Sequence, residues 1–403
     1  MNDIYPIQEI RSLFPALCRL HNGNKAVYLD GPGGSQVVAT AITAMTNYMR
    51  RGVANTHGKF PSSEETEALI ESAKAALGDL LACAPNEIAF GANATSNMFA
   101  VSRALSRSWN PGDEIVVSEM DHHSHIDTWI LSARDRGIVV RHLPVDPKAL
   151  TLDLSDLDAI VNAKTRLVAV GYASNAVGTI NDVARISRRC REVGALLSVD
   201  AVHIAPHKAI DMDAIGADML FCSVYKFFGG HIGIAAIRKN VFEALDTYRL
   251  HPAPPRPPAS RNRDESHEAI ASIVPAVDFI AGLGTSLTRR ERLVSGFERI
   301  ERHENALAGI IRQAHGCPRP EAVPVRRPQD RHRRLYAGRA AARPRMPETL
   351  RPIRHLCRRW RLLRGNARPQ GGRRPDGGWI RSDSRRTTPK RKRNCLSGPS
   401  AKS

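Results

Sequence analysis

The sequence comprises 403 residues, of which 42% are hydrophobic, and this length and composition predict an enzyme-sized globular protein with a large core. No run of about eighteen apolar residues is present, and the first residues lack a basic region followed by an apolar one, so we expect a soluble, cytoplasmic protein without a membrane partner. The net charge is +19, and residues 313–403 alone contain 26 Lys and Arg but 5 Asp and Glu. Residues 1–312 therefore carry about −2 and have no overall basic character for binding nucleic acid.

Residues 25–250 alternate short β-branched runs with segments of helical periodicity, which predicts one large α/β domain with a mostly parallel seven-stranded sheet and helices on both faces. Residues 1–24 precede it as an N-terminal segment of a small domain. A helix is predicted for residues 62–82, where Ser62 and Glu65 have the spacing of a capping box. Strands are predicted at residues 87–90, 114–119, 137–145, 165–173, 195–202, 218–225 and 232–238, with helices at 97–109 and 182–194 among those between them.

Residues 251–312 are predicted to be a linker followed by a helical segment. The linker, residues 251–266, has too much proline for a helix or a central strand. Helical periodicity resumes at residue 267 and continues to residue 313. The segment completes the ordered part of the predicted protein.

Residues 313–403 form a tail rich in Arg and Pro, without helical periodicity or strand alternation, and we expect it to be disordered. Three interpretations stay open. The tail is a basic arm that binds nucleic acid, or an unfamiliar folded lobe, against which the scarcity of Leu, Ile, Val and Phe argues. In the third, the reading frame changes near Gln313, since out-of-frame translation of a GC-rich gene yields Arg, Pro, Gly and Ala in such mixtures.

Two charged residues follow predicted strands in positions that suit catalysis. Lys226 follows an apolar strand and precedes a glycine pair, and a lysine partly desolvated on rigid backbone has the lowered pKa that a Schiff base requires. A paired structural charge is the alternative. Asp200 ends another strand, where a carboxylate can pair with a protonated pyridine nitrogen or can simply cap a loop.

Three polar segments follow other strands. Thr95 lies in the loop 91–97, GANATSN, where a helix N-terminus can hold a phosphate or the loop can serve as an ordinary N-cap. Histidines at positions 122, 123 and 125 lack the carboxylate or cysteine that would complete a metal site, so we favour one ring stacked on an aromatic cofactor. Asn175 can donate to a phenolic oxygen of the cofactor, although polar residues at strand ends commonly form turns.

The order of these segments is specific, because phosphate loop, histidine, asparagine, aspartate and lysine each follow a strand in that sequence. In this order the sequence resembles the fold-type-I enzymes that use pyridoxal 5′-phosphate (PLP), and among them the cysteine-desulfurase-like branch of the class V aminotransferase family. The resemblance covers about residues 20–312 and rests on the segments YLDGPGGSQV, GANATSN, MDHHSH, SNAVGTI, SVDAVHIAPH and SVYKFFGGHIG.

The resemblance implies PLP as the cofactor. Lys226 would form the Schiff base, Asp200 would pair with the pyridinium, and His122 would act on the ring by stacking. Asn175 and His203 would contact the phenolic oxygen, where many relatives carry glutamine at the second position.

The phosphate contacts follow the family with one departure. Thr95, Ser223 and the backbone of Ala94 would hold the phosphate. Tyr225 stands where relatives often have histidine, and would alter those contacts. Relatives also place a threonine near residues 260–268 that reaches the partner subunit's phosphate, and this sequence has none there.

The resemblance further implies a homodimeric PLP-dependent transferase or lyase acting on an amino acid. In the family a C-terminal lobe supplies an arginine for the substrate carboxylate and, in desulfurases, a cysteine on a mobile loop; here the basic tail replaces that lobe. The seven cysteines are scattered without metal-type or disulfide spacing, which favours reduced thiols and no metal: Cys18, Cys83, Cys190, Cys222, Cys317, Cys357 and Cys395. Two alternatives therefore stay open, a catalytically impaired PLP-binding protein without the substrate-binding lobe and a nucleic-acid-binding protein acting through the tail.

Overall fold

The computed structural model describes residues 5–247 and 265–315, the last two by their backbone alone. Most of the predicted linker and the tail beyond residue 315 lie outside the described residues, together with the three interpretations of the tail. The domain boundaries at residues 24, 250 and 312 stay predictions. Within the described ranges, no helix has both the length and the apolar character needed to cross a membrane.

Seven strands form one central sheet, and they confirm the seven strands predicted from the sequence. Two short antiparallel pairs lie apart from it. The described strands in chain order are β1 Leu20–His21, β2 Asn24–Lys25, β3 Ile88–Gly91, β4 Glu114–Ser118, β5 Val139–Leu143, β6 Val145–Asp146, β7 Thr151–Leu152, β8 Thr165–Gly171, β9 Leu196–Asp200, β10 Met219–Ser223 and β11 Gly233–Ile237.

The order across the sheet is β3-β11-β10-β9-β8-β4-β5, and β11 alone among these seven runs opposite to its neighbours. Residues 224–232, which join β10 to β11, are too few for the crossover that a parallel neighbour needs. The other six strands run in one direction, so their carboxyl ends meet at a single edge. Ligand sites of α/β proteins lie outside this edge.

Helices cover both faces of the sheet. The described helices in chain order are α1 Ile7–Ser12, α2 Ala39–Arg51, α3 Pro61–Leu81, α4 Ala94–Leu105, α5 His123–Asp135, α6 Leu157–Ile160, α7 Val183–Val193, α8 Met212–Ile215, α9 Lys239–Ala244, α10 His267–Ile270, α11 Ile273–Gly282 and α12 Arg289–His315. On one face, Met98 of α4 and Trp129 of α5 pack against the sheet. On the other, Leu77 of α3, Ile186 of α7 and Val277 of α11 belong to a second apolar cluster.

The capping box predicted at Ser62 is wrong. Helix α3 begins one residue earlier, at Pro61, and its N-cap residue Phe60 has an extended backbone and no side-chain capping bond. Proline suits the first helical position because its ring fixes φ near the helical value and it has no N–H to leave unsatisfied. The hydroxyl of Ser63, in the first turn of α3, accepts the Gly58 N–H at 2.8 Å and so ties the preceding loop to the helix.

Candidate active site

A cavity of about 690 Å³ opens at the carboxyl edge of the sheet. Its volume is in the range of pockets that hold small ligands and cofactors. The structure brings all nine residues predicted for the site to the wall of this one cavity: Ala94, Thr95, His122, Asn175, Asp200, His203, Ser223, Tyr225 and Lys226. They lie at or shortly after the ends of five different strands of the sheet.

The N-terminus of α4 forms an anion-binding wall of the cavity. Asn93 caps the helix by accepting the Ser96 N–H at 2.8 Å, and the Ala94 N–H donates to the Ser223 hydroxyl at 3.1 Å. Neither the N–H nor the hydroxyl of Thr95 has a hydrogen-bond partner among the described residues. A helix N-terminus with free donors attracts a phosphate through both its N–H groups and its dipole.

Gly233, the first residue of β11, lies against this wall. A Cβ added to Gly233 would lie 2.5 Å from the Ala94 nitrogen, and the carbonyl group of Asn93 would be closer still. Since only a residue without a side chain leaves room for this approach, glycine lets β11 and the loop before α4 come into backbone contact. The anion-binding wall is therefore built on the sheet itself.

Asp200 lies at the end of β9 and is buried. Its Oδ1 accepts the Val202 N–H at 2.8 Å, while Oδ2 has no donor among the described residues. Burial raises the pKa of the Asp200 carboxyl, and the positive charge of His125 acts in the opposite direction. A carboxylate with one free oxygen at a cavity wall can accept a hydrogen bond from a protonated ring nitrogen.

The three clustered histidines diverge. His122 is the N-cap residue of α5, and its Nδ1 accepts the Ser124 N–H at 3.1 Å, which fixes the ring beside the cavity. His123 is exposed and pairs with Asp127 at 3.5 Å. His125 is buried under the site. The rings therefore do not converge on a common point, and His122 is the one of the three that lines the cavity.

Lys226 ends the 3₁₀ turn that follows β10, and its side chain is half-buried in the cavity wall. Its ammonium donates to the carbonyl oxygen of Pro32, a residue that sequence reasoning did not single out. Burial lowers the pKa of the Lys226 amine, an effect that the negative charge of Asp200 partly opposes. More of this amine is therefore neutral, the form that attacks a carbonyl carbon, than for a lysine in water.

Tyr225 stacks on His231, with ring centroids 4.4 Å apart and planes 3° from parallel. Both rings line the cavity. Burial also raises the pKa of the Tyr225 phenol, so its hydroxyl keeps its proton near neutral pH. His231 was missed from the sequence because the stack depends on the turn between β10 and β11.

Two further polar groups line the cavity, His203 and Asn181. Burial lowers the pKa of His203, and the nearby positive charges of His207 and Lys226 lower it further, so the neutral ring is favoured. Asn181, also missed, is 6% exposed, and its amide nitrogen donates to the Gly171 carbonyl at 2.7 Å. Its Oδ1 is buried without a hydrogen-bond partner among the described residues, and so offers an acceptor to a bound molecule.

The family model for aminotransferase class V matches residues 27–252, which contain every residue of the predicted site. The chain belongs to the class V aminotransferase family. Among its curated relatives, a probable cysteine desulfurase of Streptomyces coelicolor is 32% identical to this chain over 74% of the length of each protein. An aminotransferase-like protein of Gibberella zeae is 34% identical over 57% of each chain, and a cysteine desulfurase of Serratia proteamaculans is 31% identical over 60% of each. The chain thus spans less than two thirds of the length of several relatives.

Solved structures support the same fold for this class V aminotransferase. The apo cysteine desulfurase from Thermococcus onnurineus superposes with a TM-score of 0.66 at 24% identity, covering 78% of this chain and 79% of that one. The cysteine desulfurase CsdA of Escherichia coli gives a TM-score of 0.65 at 21% identity with the same coverage. At these identities the likeness shows the fold, and it confirms the fold type predicted from the order of the motifs.

Class V aminotransferases are PLP-dependent enzymes, and the cavity has groups that suit each part of that cofactor. Thr95 has free donors for a phosphate, Asp200 has a free oxygen for a ring nitrogen, and the orphaned Asn181 oxygen can accept from a ring substituent. The amine of Lys226 lies in the same cavity. The residues present therefore fit the cofactor.

Cysteine and arginine are absent from the cavity wall in the described part of the chain. Cys18 is exposed elsewhere, and Cys222 is buried inside β10. Burial raises the pKa of Cys83 and of Cys190 to about 12, so neither is a thiolate near neutral pH. The cysteines at positions 317, 357 and 395 lie outside the described residues.

Proposed function

We propose that this class V aminotransferase binds PLP covalently through Lys226 and acts on an amino acid, as a cysteine-desulfurase-like enzyme. The observation that carries the proposal is the meeting of Lys226, Asp200 and the α4 N-terminus in one cavity. An amine, an acid for a ring nitrogen and an anion site are the three features that a pyridine aldehyde phosphate requires. Their meeting at one edge of the sheet favours a cofactor site over a separate structural role for each of the three groups.

When bound, PLP supplies an aldehyde that condenses with amines and a ring that takes up the electrons of a bond broken at the substrate Cα. Asp200 would accept a hydrogen bond from the protonated ring nitrogen, which favours the ring as an electron acceptor. Thr95 and Ser223 would hold the phosphate, with the backbone of Ala94 beside them, and His122 would cover the ring. Asn175 and His203, which line the same cavity, would contact the phenolic oxygen.

Lys226 has two roles in sequence. Its neutral amine would first hold the cofactor by a covalent bond. The Lys226 amine, once free, would take the proton from the substrate Cα as a general base, a role that its lowered pKa favours. Both roles need the amine unprotonated for part of the time, and burial of the lysine provides for this.

Cysteine is the first substrate to test, because the relatives named above include cysteine desulfurases. The described residues place no thiol at the cavity that could receive the substrate sulfur. We therefore propose the steps up to removal of the Cα proton, which desulfuration, β-elimination and transamination share.

A homodimer is proposed as the working form. Apolar side chains are exposed near the N-terminus and on and after α2, and exposed apolar patches commonly mark protein contacts: Leu20, Val27, Leu29, Met49 and Val53. Light scattering of the purified protein should give twice the mass of the 403-residue chain. The mass of a single chain would reject the dimer.

The test is the near-ultraviolet and visible absorbance of the purified protein before and after addition of L-cysteine, with a Lys226→Ala variant alongside. We expect a cofactor band that shifts with cysteine and is lost or displaced in the variant. Lys208→Ala is a matched control, because Lys208 pairs with Glu301 at 3.4 Å and does not line the cavity. The same band in wild type and Lys226→Ala would reject the proposal.

One observation favours a second candidate, a PLP-binding protein without turnover. An amino-acid substrate carries a carboxylate, and in the described part of the chain no arginine lines the cavity to receive it. A cofactor band that depends on Lys226 but does not respond to cysteine or to other amino acids would support this candidate over the enzyme. Alanine, sulfide or a keto acid in the reaction mixture would reject it.

A further inference from the structure

A buried polar network lies beneath the candidate active site, on the face of the sheet covered by α4 and α5. His125 donates or accepts through both ring nitrogens, with Nδ1 at 2.8 Å from Asp121 Oδ2 and Nε2 at 2.9 Å from the Ser198 hydroxyl. The second oxygen of Asp121 accepts the Ser118 hydroxyl. The side chains of Asp121 and His125 are 1% and 0% exposed, so this pair has no contact with bulk solvent.

The network lies in apolar surroundings. The same face of the sheet is otherwise lined by apolar side chains such as Met98, Trp129 and Phe221. Replacing a buried ion pair by apolar residues of similar volume is commonly neutral or stabilising, so packing alone gives no reason for a buried histidine and aspartate here. Polar groups kept in a core at such a cost point to a role in the adjoining site.

The position of the network relative to Asp200 indicates that role. Ser198 and Asp200 are two residues apart on β9, so their side chains leave the same face of the strand about 7 Å apart. His125 is hydrogen-bonded to Ser198 and so lies on the face of β9 from which the Asp200 side chain also leaves. Asp121, held by two donors, fixes the ring from its other side.

We infer that His125 is a positioning residue of the active site: locked between Asp121 and Ser198, it places its positive end beside Asp200 and keeps that carboxylate ionised for a ring nitrogen. The inference rests on the proposed function for the identity of the ligand. After burial, His125 has the largest effect on the pKa of Asp200, which it lowers. The other titratable groups whose charge acts on Asp200, or on which Asp200 acts, are Asp121, His122, Cys222, Tyr225 and Lys226.

The test uses 4′-deoxypyridoxine 5′-phosphate, which has the ring nitrogen and the phosphate of PLP but no group that bonds to Lys226. Its dissociation constant is measured across the acidic pH range for wild type, His125→Gln and His123→Gln. His123 is the matched control, since it lies on the same helix but is exposed and pairs with Asp127. Asp200→Asn identifies the part of the profile that belongs to Asp200.

Loss of the His125 charge should raise the pH at which Asp200 becomes protonated and binding weakens. We expect the acidic midpoint to move up by about one pH unit in His125→Gln, and to stay at the wild-type value in His123→Gln. Coincident profiles for the two variants would overturn the inference, as would failure of wild type to bind the analogue. A purely structural role would lower stability without moving the midpoint.

Ser198→Ala keeps the test open if His125→Gln does not fold, because it removes one oxygen atom and leaves the imidazole in place. It should move the midpoint in the same direction by a smaller amount, and an unchanged midpoint would overturn the inference. Failure of the proposed function is recognised separately. In that case the absorbance of wild type would not depend on Lys226, while the pH profile of analogue binding would still depend on His125.

Discussion

Replacing Gly233 with alanine tests whether the wall formed by α4 and β11 holds a phosphate. The added Cβ would lie 2.5 Å from the Ala94 nitrogen, whereas real Cβ atoms essentially never come within 3.0 Å of another heavy atom. Strand and loop must therefore separate by at least about half an ångström at Ala94, and by more at Asn93. Overpacking of this kind destabilises a folded protein by about 1–3 kcal/mol.

The displacement should also weaken phosphate binding selectively. A hydrogen bond to a charged group contributes about 1.5–3 kcal/mol, so loss of one N–H contact raises the dissociation constant roughly 10- to 100-fold. The assay compares PLP with pyridoxal, which lacks the phosphate, by equilibrium titration, together with urea unfolding of the cofactor-free protein. Pyridoxal affinity should change by less than about threefold.

Gly282→Ala is the matched control, because a Cβ there meets nothing within 4 Å and the residue ends helix α11. Its stability should rise slightly, by at most about 1 kcal/mol, with unchanged affinity for both ligands. Equal losses of PLP and pyridoxal affinity in Gly233→Ala, or no loss of either, would refute the assignment of the phosphate to this wall.

Three further predictions follow from the pKa shifts. Because burial raises the pKa of Asp200 in the folded state, the stability contributed by this group falls as pH rises from the ordinary Asp value of about 3.9 through the raised pKa. Asp200→Asn should therefore stabilise the cofactor-free protein at neutral pH, and the gain should shrink as pH falls to about 4. Urea unfolding at several pH values would show or contradict this. The lowered pKa of Lys226 predicts that the rate of PLP incorporation rises with pH around a midpoint below the ordinary lysine value of about 10.4, and a midpoint at that value would contradict the burial effect. Cys83 and Cys190, whose pKa is raised to about 12, should be alkylated by iodoacetamide far more slowly than the exposed Cys18. Peptide mass spectrometry can follow the three rates, and equal rates would contradict the raised pKa of these thiols.

The sheet could be predicted because its strands have a strong local signal. Each is a short apolar run between polar or helical segments. This pattern is typical of buried parallel strands such as β4, EIVVS. The site followed from the same pattern, since Thr95, Asp200 and Lys226 come after different strands whose carboxyl ends share an edge. Their positions at the ends of these strands were therefore enough to predict that the three residues lie at one edge of the sheet.

Contacts between distant segments could not be predicted in this way. The placement of β11 between β3 and β10, with Gly233 against the loop before α4, depends on the tertiary fold. The same holds for the bond from Lys226 to the Pro32 carbonyl and for the buried link between His125 and Ser198. At the start of α3, the local pattern favoured Ser62 as N-cap, but the proline before it already began the helix.

The most direct test of the proposed cofactor site at Lys226 is to reduce the purified protein with borohydride in the presence of PLP, digest it, and locate the cofactor by peptide mass spectrometry. Reduction makes a bond between a lysine amine and the cofactor permanent. We expect the cofactor mass on the peptide that contains Lys226 and on no other lysine at comparable yield. Absence of the added mass, or its presence chiefly on a lysine outside the cavity such as Lys208, would contradict it.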